Sequence, residues 1–164
     1  MSEVIDVVEI RSTTRPIDAV VRLPGSKSYT NRALLVAALA AGPSEIQGAL
    51  FSDDTAYMVQ ALRQLGLSLE ASPEELRIRV QGADGRVPAR AADLFVGNAG
   101  TAARFLTAYV ALGDGSYRID GVARMRERPI GPLLDALRQL GIDARSERGN
   151  DCPPVSVRGH GIEG

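Results

Sequence analysis

Ala61-Leu62-Arg63-Gln64-Leu65-Gly66 returns letter for letter as Ala136-Leu137-Arg138-Gln139-Leu140-Gly141, 75 positions further on. A hexapeptide repeated at a fixed offset marks a duplicated structural unit, the first thing to settle in any chain. Around it, Met58, Ala61, Leu62 and Leu65 recur at helical spacing. Leu133, Ala136, Leu137 and Leu140 hold the corresponding positions, so each copy predicts an amphipathic helix with one apolar face. Gly66 and Gly141 stand where those helices stop, in the left-handed turn that glycine tolerates. Alternating segments follow, with Leu76, Ile78 and Val80 opposite Arg77 and Arg79 in the first copy and Val155 and Val157 in the second.

Upstream of each amphipathic helix lies one of another kind. Residues 33–41 and 102–112 are apolar on nearly every side, which predicts helices packed in a core. The expected fold is α/β, built from repeated βαβαββ units with buried helices: repeat one over about 19–82, repeat two over about 92–159. Arg15-Pro16 followed by Asp18 reads as a break between an N-terminal strand (1–15) and the repeats. The Gly-rich tail 160–164 reads as a linker cut short, with His160 in a frayed end.

Composition narrows the function classes. At 164 residues and 45% hydrophobic, the chain can bury the core of one ordinary domain. A net charge of −1 gives no general field for nucleic acid or an anionic membrane, so neither is an expected partner, and anion binding has to come from a local cluster. Cys152 is the only cysteine, which excludes an internal disulfide and any multi-cysteine metal site. No secretory signal is visible in residues 1–16, and a cytoplasmic location is expected. Of 19 basic residues, Lys27 alone is a lysine. A compact ammonium contacts a phosphate as a point charge, which a planar guanidinium does not, although an ordinary surface lysine is the plain alternative.

Each buried helix opens with a small-residue loop that leads to a cation. The first is Pro24-Gly25-Ser26-Lys27-Ser28-Tyr29-Thr30-Asn31-Arg32, the second Gly97-Asn98-Ala99-Gly100-Thr101-Ala102-Ala103-Arg104. Free N–H groups at a helix start favour a phosphate or carboxylate. Ser26, Ser28 and Thr101 serve equally well as helix caps. Two such loops at equivalent points of a duplicated unit favour a shared anionic ligand. The spacing is not that of a P-loop. A third feature, Arg124-Met125-Arg126-Glu127-Arg128-Pro129, puts three arginines in five positions ahead of the second amphipathic helix. Ser52-Asp53-Asp54-Thr55 stands at the matching place in the first copy, where its acids suit a helix start better than acid–base chemistry.

With Leu23-Pro24-Gly25-Ser26-Lys27-Ser28, Asn31-Arg32-Ala33-Leu34, the Ser52–Thr55 run, Gly97–Thr101 and Arg124–Ile130 in this order, the chain resembles the 5-enolpyruvylshikimate-3-phosphate (EPSP) synthase family. The resemblance implies transfer of the enolpyruvyl group of phosphoenolpyruvate to the 5-hydroxyl of shikimate 3-phosphate, with release of phosphate and no metal or organic cofactor. It implies two lobes of three βαβαββ units each. This chain would carry two of the three units of one lobe (16–159), with residues 1–15 belonging to the other lobe and a complementary C-terminal part as partner. Lys27 becomes a catalytic contact to both substrates, and Ser28 and Arg32 become ligands of shikimate 3-phosphate. Asn98, Gly100 and Thr101 would border the phosphoenolpyruvate pocket, where the inhibitor glyphosate also binds in the family. With the Arg-Met dipeptide as anchor, Arg124 rather than Arg128 takes the family's phosphoenolpyruvate-binding arginine position. Two alternatives stand beside this one: a non-catalytic anion-binding fragment, and a UDP-N-acetylglucosamine enolpyruvyl transferase-like protein, against which the position of Cys152 speaks.

Overall fold

The computed structural model describes residues 9, 10 and 12–160. The first unit consists of α1 (Lys27–Leu39), β1 (Pro43–Gln47), α2 (Asp53–Gln64), β2 (Ser68–Ser72) and β3 (Arg77–Gln81). The second consists of β4 (Ala91–Phe95), α3 (Gly100–Val110), β5 (Asp114–Asp120), α4 (Gly131–Gln139), β6 (Asp143–Ser146) and β7 (Val155–His160). The first sheet runs β1-β3-β2, all antiparallel. The second runs β4-β5-β7-β6, with β4 and β5 parallel and the rest antiparallel. One continuous core joins both units, from Leu34 and Met58 through Leu94 and Leu106 to Leu134 and Val157.

The duplication reaches individual contacts. Arg63, inside the repeated hexapeptide, donates to the Leu69 carbonyl, and its counterpart Arg138 donates to the Ala144 carbonyl. Each thereby ties its helix to the strand that follows. Gly82 and Gly159 close the last strand of each unit against the C-terminal carbonyls of a buried helix. A β-carbon on Gly82 would collide with Ala40 O, and one on Gly159 with Gly113 O.

The copies differ where their neighbours differ. Leu65 is fully buried while its counterpart Leu140 is 58% exposed, although the surrounding hexapeptides are identical. The helix α2 is roofed by β4 and α3 of the second unit. No further unit covers α4 among the described residues, so α4 buries only Leu134 and Leu137 well and leaves Ala136 outside. The expected apolar face of the second amphipathic helix is therefore present but half used. The same reasoning applies to α1, whose Leu34, Ala37 and Ala38 are buried while Tyr29 and Val36 on its flank are exposed.

The first strand expected for repeat one is not formed. Residues 16–24 pair with no strand, and Ile17, Val20, Val21 and Leu23 are exposed. Its counterpart β4 is held by β5 at its side and α2 above it. No preceding unit supplies such a helix to residues 19–23 among the described residues. Gly25, next in the chain, packs closely: its α-carbon lies against the backbone of residues 48–50. At the other end, His160 is not in a frayed tail; it pairs in register with Asp114 at the end of β7. Most of the expected strand 1–15 and the linker 161–164 lie outside the described residues.

Since overpacking against rigid backbone costs about 1–3 kcal/mol, Gly82→Ala and Gly159→Ala should each lower the free energy of urea unfolding by that amount. Gly42→Ala, where a new β-carbon meets nothing within 4 Å, should change it by less than about 0.5 kcal/mol. Equal effects at all three positions would show that the two closing contacts are not tight.

Candidate functional site: a cationic cleft at two helix starts

Lys27, Asp54, Asn98, Gly100, Thr101, Arg104 and Arg128 line an open cavity of about 410 Å³. Its walls come from both units. Ser26 caps α1, its hydroxyl accepting from the Tyr29 N–H, so Lys27 is the first helical residue and stands at the positive end of the helix. Gly100 is the first residue of α3, which has no side-chain cap before it. The Lys27 ammonium lies 3.0 Å from the Asp54 carboxylate in the first turn of α2. Among the described residues three cations, Lys27, Arg104 and Arg128, thus share the cavity with one acid. The excess positive charge and two sets of helix-terminal N–H groups suit an anion.

The three arginines of the 124–128 run go to different places. Arg126 turns inward and grips Asp120 at the end of β5, Nε to Oδ1 at 2.9 Å and Nη2 to Oδ2 at 2.7 Å. Arg124 turns outward, 73% exposed, and pairs with Glu127. Arg128 enters the cavity, where its Nη1 donates to the Asn98 carbonyl at 2.9 Å. The sequence favours Arg124 over Arg128; of the two, Arg128 lines the cavity and Arg124 does not. The reason is turn geometry: Met125–Glu127 forms one 3-10 turn, which spreads residues 124, 126 and 128 around its axis.

Asp120 is nearly buried and fixes this arrangement. Burial alone would raise its pKa, but hydrogen bonds from Arg126, the Gly121 N–H and Arg118 together outweigh it and hold the carboxyl at about 2.

Of the other expected residues, Lys27, Asn98, Gly100 and Thr101 are brought together. Ser28 and Arg32 are not in this cavity; they lie exposed on α1, with Arg32 donating to the Ser28 carbonyl and sitting 5.9 Å over the Phe105 ring. Two lining residues escaped sequence reasoning as ligand contacts, Asp54 and Arg104. Arg104 was legible in principle, since it stands 72 positions after Arg32 at the equivalent point of the repeat. A β-carbon on Gly100 would sit 2.8 Å from Arg128 Nη1 and 3.3 Å from Arg104 Nη1, so both guanidinium tips would have to shift to admit one. A larger depression of about 580 Å³ lies on the second sheet, lined by Arg118, Arg145 and Arg158 with Asp93 and Asp143; Arg118 there is paired with Asp93, Asp120 and Glu147, and among the described residues no helix start opens onto it.

Residues 12–164 match the family model described as EPSP synthase (3-phosphoshikimate 1-carboxyvinyltransferase). The chain belongs to the EPSP synthase family. It is 51% identical over 159 residues to a 3-phosphoshikimate 1-carboxyvinyltransferase of Trichormus variabilis, covering 97% of this chain and 37% of that protein. It is 59% identical over 139 residues to one of Bordetella petrii, covering 84% and 30%. A solved EPSP synthase from Acinetobacter baumannii superposes with a TM-score of 0.79 at 28% identity, over 85% of this chain and 32% of that one. The enolpyruvyl transferase NikO from Streptomyces tendae shares the fold, with a TM-score of 0.59 at 21% identity. The chain therefore spans about a third of the length of the relatives it matches. Among the described residues no helix is long and apolar enough to cross a membrane.

The depressed pKa of Asp120 has a definite sign. The ionised form is favoured in the folded state, so the stabilisation is complete above an ordinary carboxyl pKa and disappears as pH falls toward about 2. For this nearly buried group it amounts to about 2 kcal/mol. Urea unfolding at pH 7 and pH 2.5 should show Asp120→Asn losing less stability on acidification than the parent. Parallel losses would show that Asp120 does not carry this pH dependence.

Proposed function

We propose that this chain supplies the anion-binding half of an enolpyruvyl transferase site, acting on phosphoenolpyruvate and shikimate 3-phosphate as part of an EPSP synthase. The observation that carries the reading is the convergence of Lys27, Arg104 and Arg128 on the glycine-floored start of α3. Two multiply charged anions brought together in a shielded cleft repel strongly unless fixed cations surround them. Lys27 stands between the two helix starts and can reach either substrate. Arg128, with Asn98, Gly100 and Thr101, takes the phosphoenolpyruvate side. Ser28 and Arg32, exposed on the adjoining face of α1, take the shikimate 3-phosphate side.

General acid–base catalysis needs a proton carrier within reach of the reacting atoms. Among the described residues Asp54 is the only acid lining the cavity, and it holds Lys27. Binding here without turnover is therefore the reading for the isolated chain, with the proton carriers supplied by the remainder of the longer relatives. The half-used face of α4, the open flank of α1 and the unpaired residues 16–24 support the same view, since each is an exposed apolar surface that the remainder of the longer relatives would cover. A cytoplasmic site of action fits the substrates.

Titration of labelled chain with phosphoenolpyruvate should shift the amides of Asn98, Gly100 and Thr101. Lys27→Met and Arg128→Gln should each weaken binding by about 1.5–3 kcal/mol, the worth of a hydrogen bond to a charged group. Arg124→Gln should bind like the parent. No phosphate should be released by the chain alone with both substrates, and release should begin on adding a polypeptide carrying the rest of a relative. Turnover by the chain alone, lost in Lys27→Met, would overturn the division of roles; sensitivity to Arg124→Gln but not Arg128→Gln would overturn the choice of arginine.

A further inference from the structure

Arg104 makes two hydrogen bonds that belong to different parts of the fold. Its Nη1 donates to the Gly100 carbonyl at 3.1 Å, one turn back in α3. Its Nη2 donates to the Pro129 carbonyl at 2.7 Å, on the segment that leads from the arginine turn into α4. The repeat provides an internal control. Arg32 occupies the equivalent position in α1 and makes the equivalent bond back to Ser28, at 3.1 Å, but its guanidinium then lies over Phe105 rather than on another loop. A helix of this kind therefore needs only the first bond, and the second one serves the 128–129 segment.

Pro129 follows directly on Arg128, and the Arg128 guanidinium is packed beside that of Arg104 over Gly100. Two like charges at such proximity repel, so the arrangement persists only if both groups are held. Arg128 is held by the Asn98 carbonyl at its tip, and its backbone is held through Pro129 by Arg104. We propose that Arg104 is a positioning residue: with two of its five N–H donors on carbonyls it clamps the 128–129 backbone to the start of α3 and thereby aims Arg128 into the cleft, adding its charge to the cavity without binding the anion directly. Lysine cannot replace it, because one ammonium does not reproduce the planar fork that spans two carbonyls.

The binding arm of the test rests on the anion-site reading above; the motional arm does not. In Arg104→Lys, the Arg128 Nε–H signal, identified by its disappearance in Arg128→Lys, should acquire the fast relaxation of the exposed Arg148, with the amides of β4 to β7 unchanged. In the unmutated chain, the Arg104 guanidinium protons should exchange with solvent more slowly than those of Arg148, a measurement that needs no variant to fold. Inorganic phosphate should bind Arg104→Lys about tenfold more weakly than the parent, the scale of one net hydrogen bond. The same change made in an Arg128→Gln background should have no further effect. A tenfold loss in both backgrounds would make Arg104 a direct anion ligand and overturn the proposal, as would an Arg128 signal unmoved by Arg104→Lys or fast exchange of the Arg104 guanidinium. A parent chain that bound no phosphate would count against the anion site, leaving relaxation and exchange to decide the role of Arg104.

Discussion

Asp120 has to remain ionised while nearly out of contact with water, and it does so because Arg126 meets it with two parallel hydrogen bonds. A carboxylate in such a place is costly unless every oxygen is satisfied. Here the Gly121 N–H and Arg118 complete the set. The pairing does more than balance charge. Arg126 is the middle one of three arginines at a single 3-10 turn, and with it pointing inward the turn directs its neighbours elsewhere. Arg124 points to solvent and Arg128 toward α3. The position of the cationic cleft thus follows from a contact some residues away from it, at the end of β5.

Glycine governs the other side of the cleft. At Gly100 the absence of a β-carbon admits two guanidinium groups close to the first turn of α3. At Gly25 it lets the first loop lie on the backbone that leads into α2, which brings Lys27 to Asp54. These are the close approaches that allow two separate helix starts to act on one volume of space. The acid on Lys27 also supplies a local counter-charge to an exposed ammonium that faces two guanidinium groups.

Much of this was legible in the residues. The repeated hexapeptide gave the duplication, its amphipathic helices and the stop at Gly66 and Gly141; the two small-residue loops gave Lys27, Asn98, Gly100 and Thr101. What the sequence hid depended on neighbours rather than on local pattern. Identical hexapeptides end with Leu65 buried and Leu140 exposed, because only α2 has the next unit above it. Residues 19–23 have the apolar content of a strand, but a strand also needs a covered face. Which of Arg124 and Arg128 faces the cavity depends on one 3-10 turn and one buried carboxylate, neither of which spacing alone reveals. Arg104 was visible as the repeat partner of Arg32, yet its second hydrogen bond depends on a loop that the first unit lacks.

The most direct test of the cleft is a crystal structure of the chain grown with phosphoenolpyruvate. The account predicts ligand oxygens within about 3 Å of both Lys27 Nζ and the Arg128 guanidinium, with Arg126 still on Asp120 and Arg124 still on Glu127. Ligand held by Arg124, with Lys27 and Arg128 untouched, would contradict it.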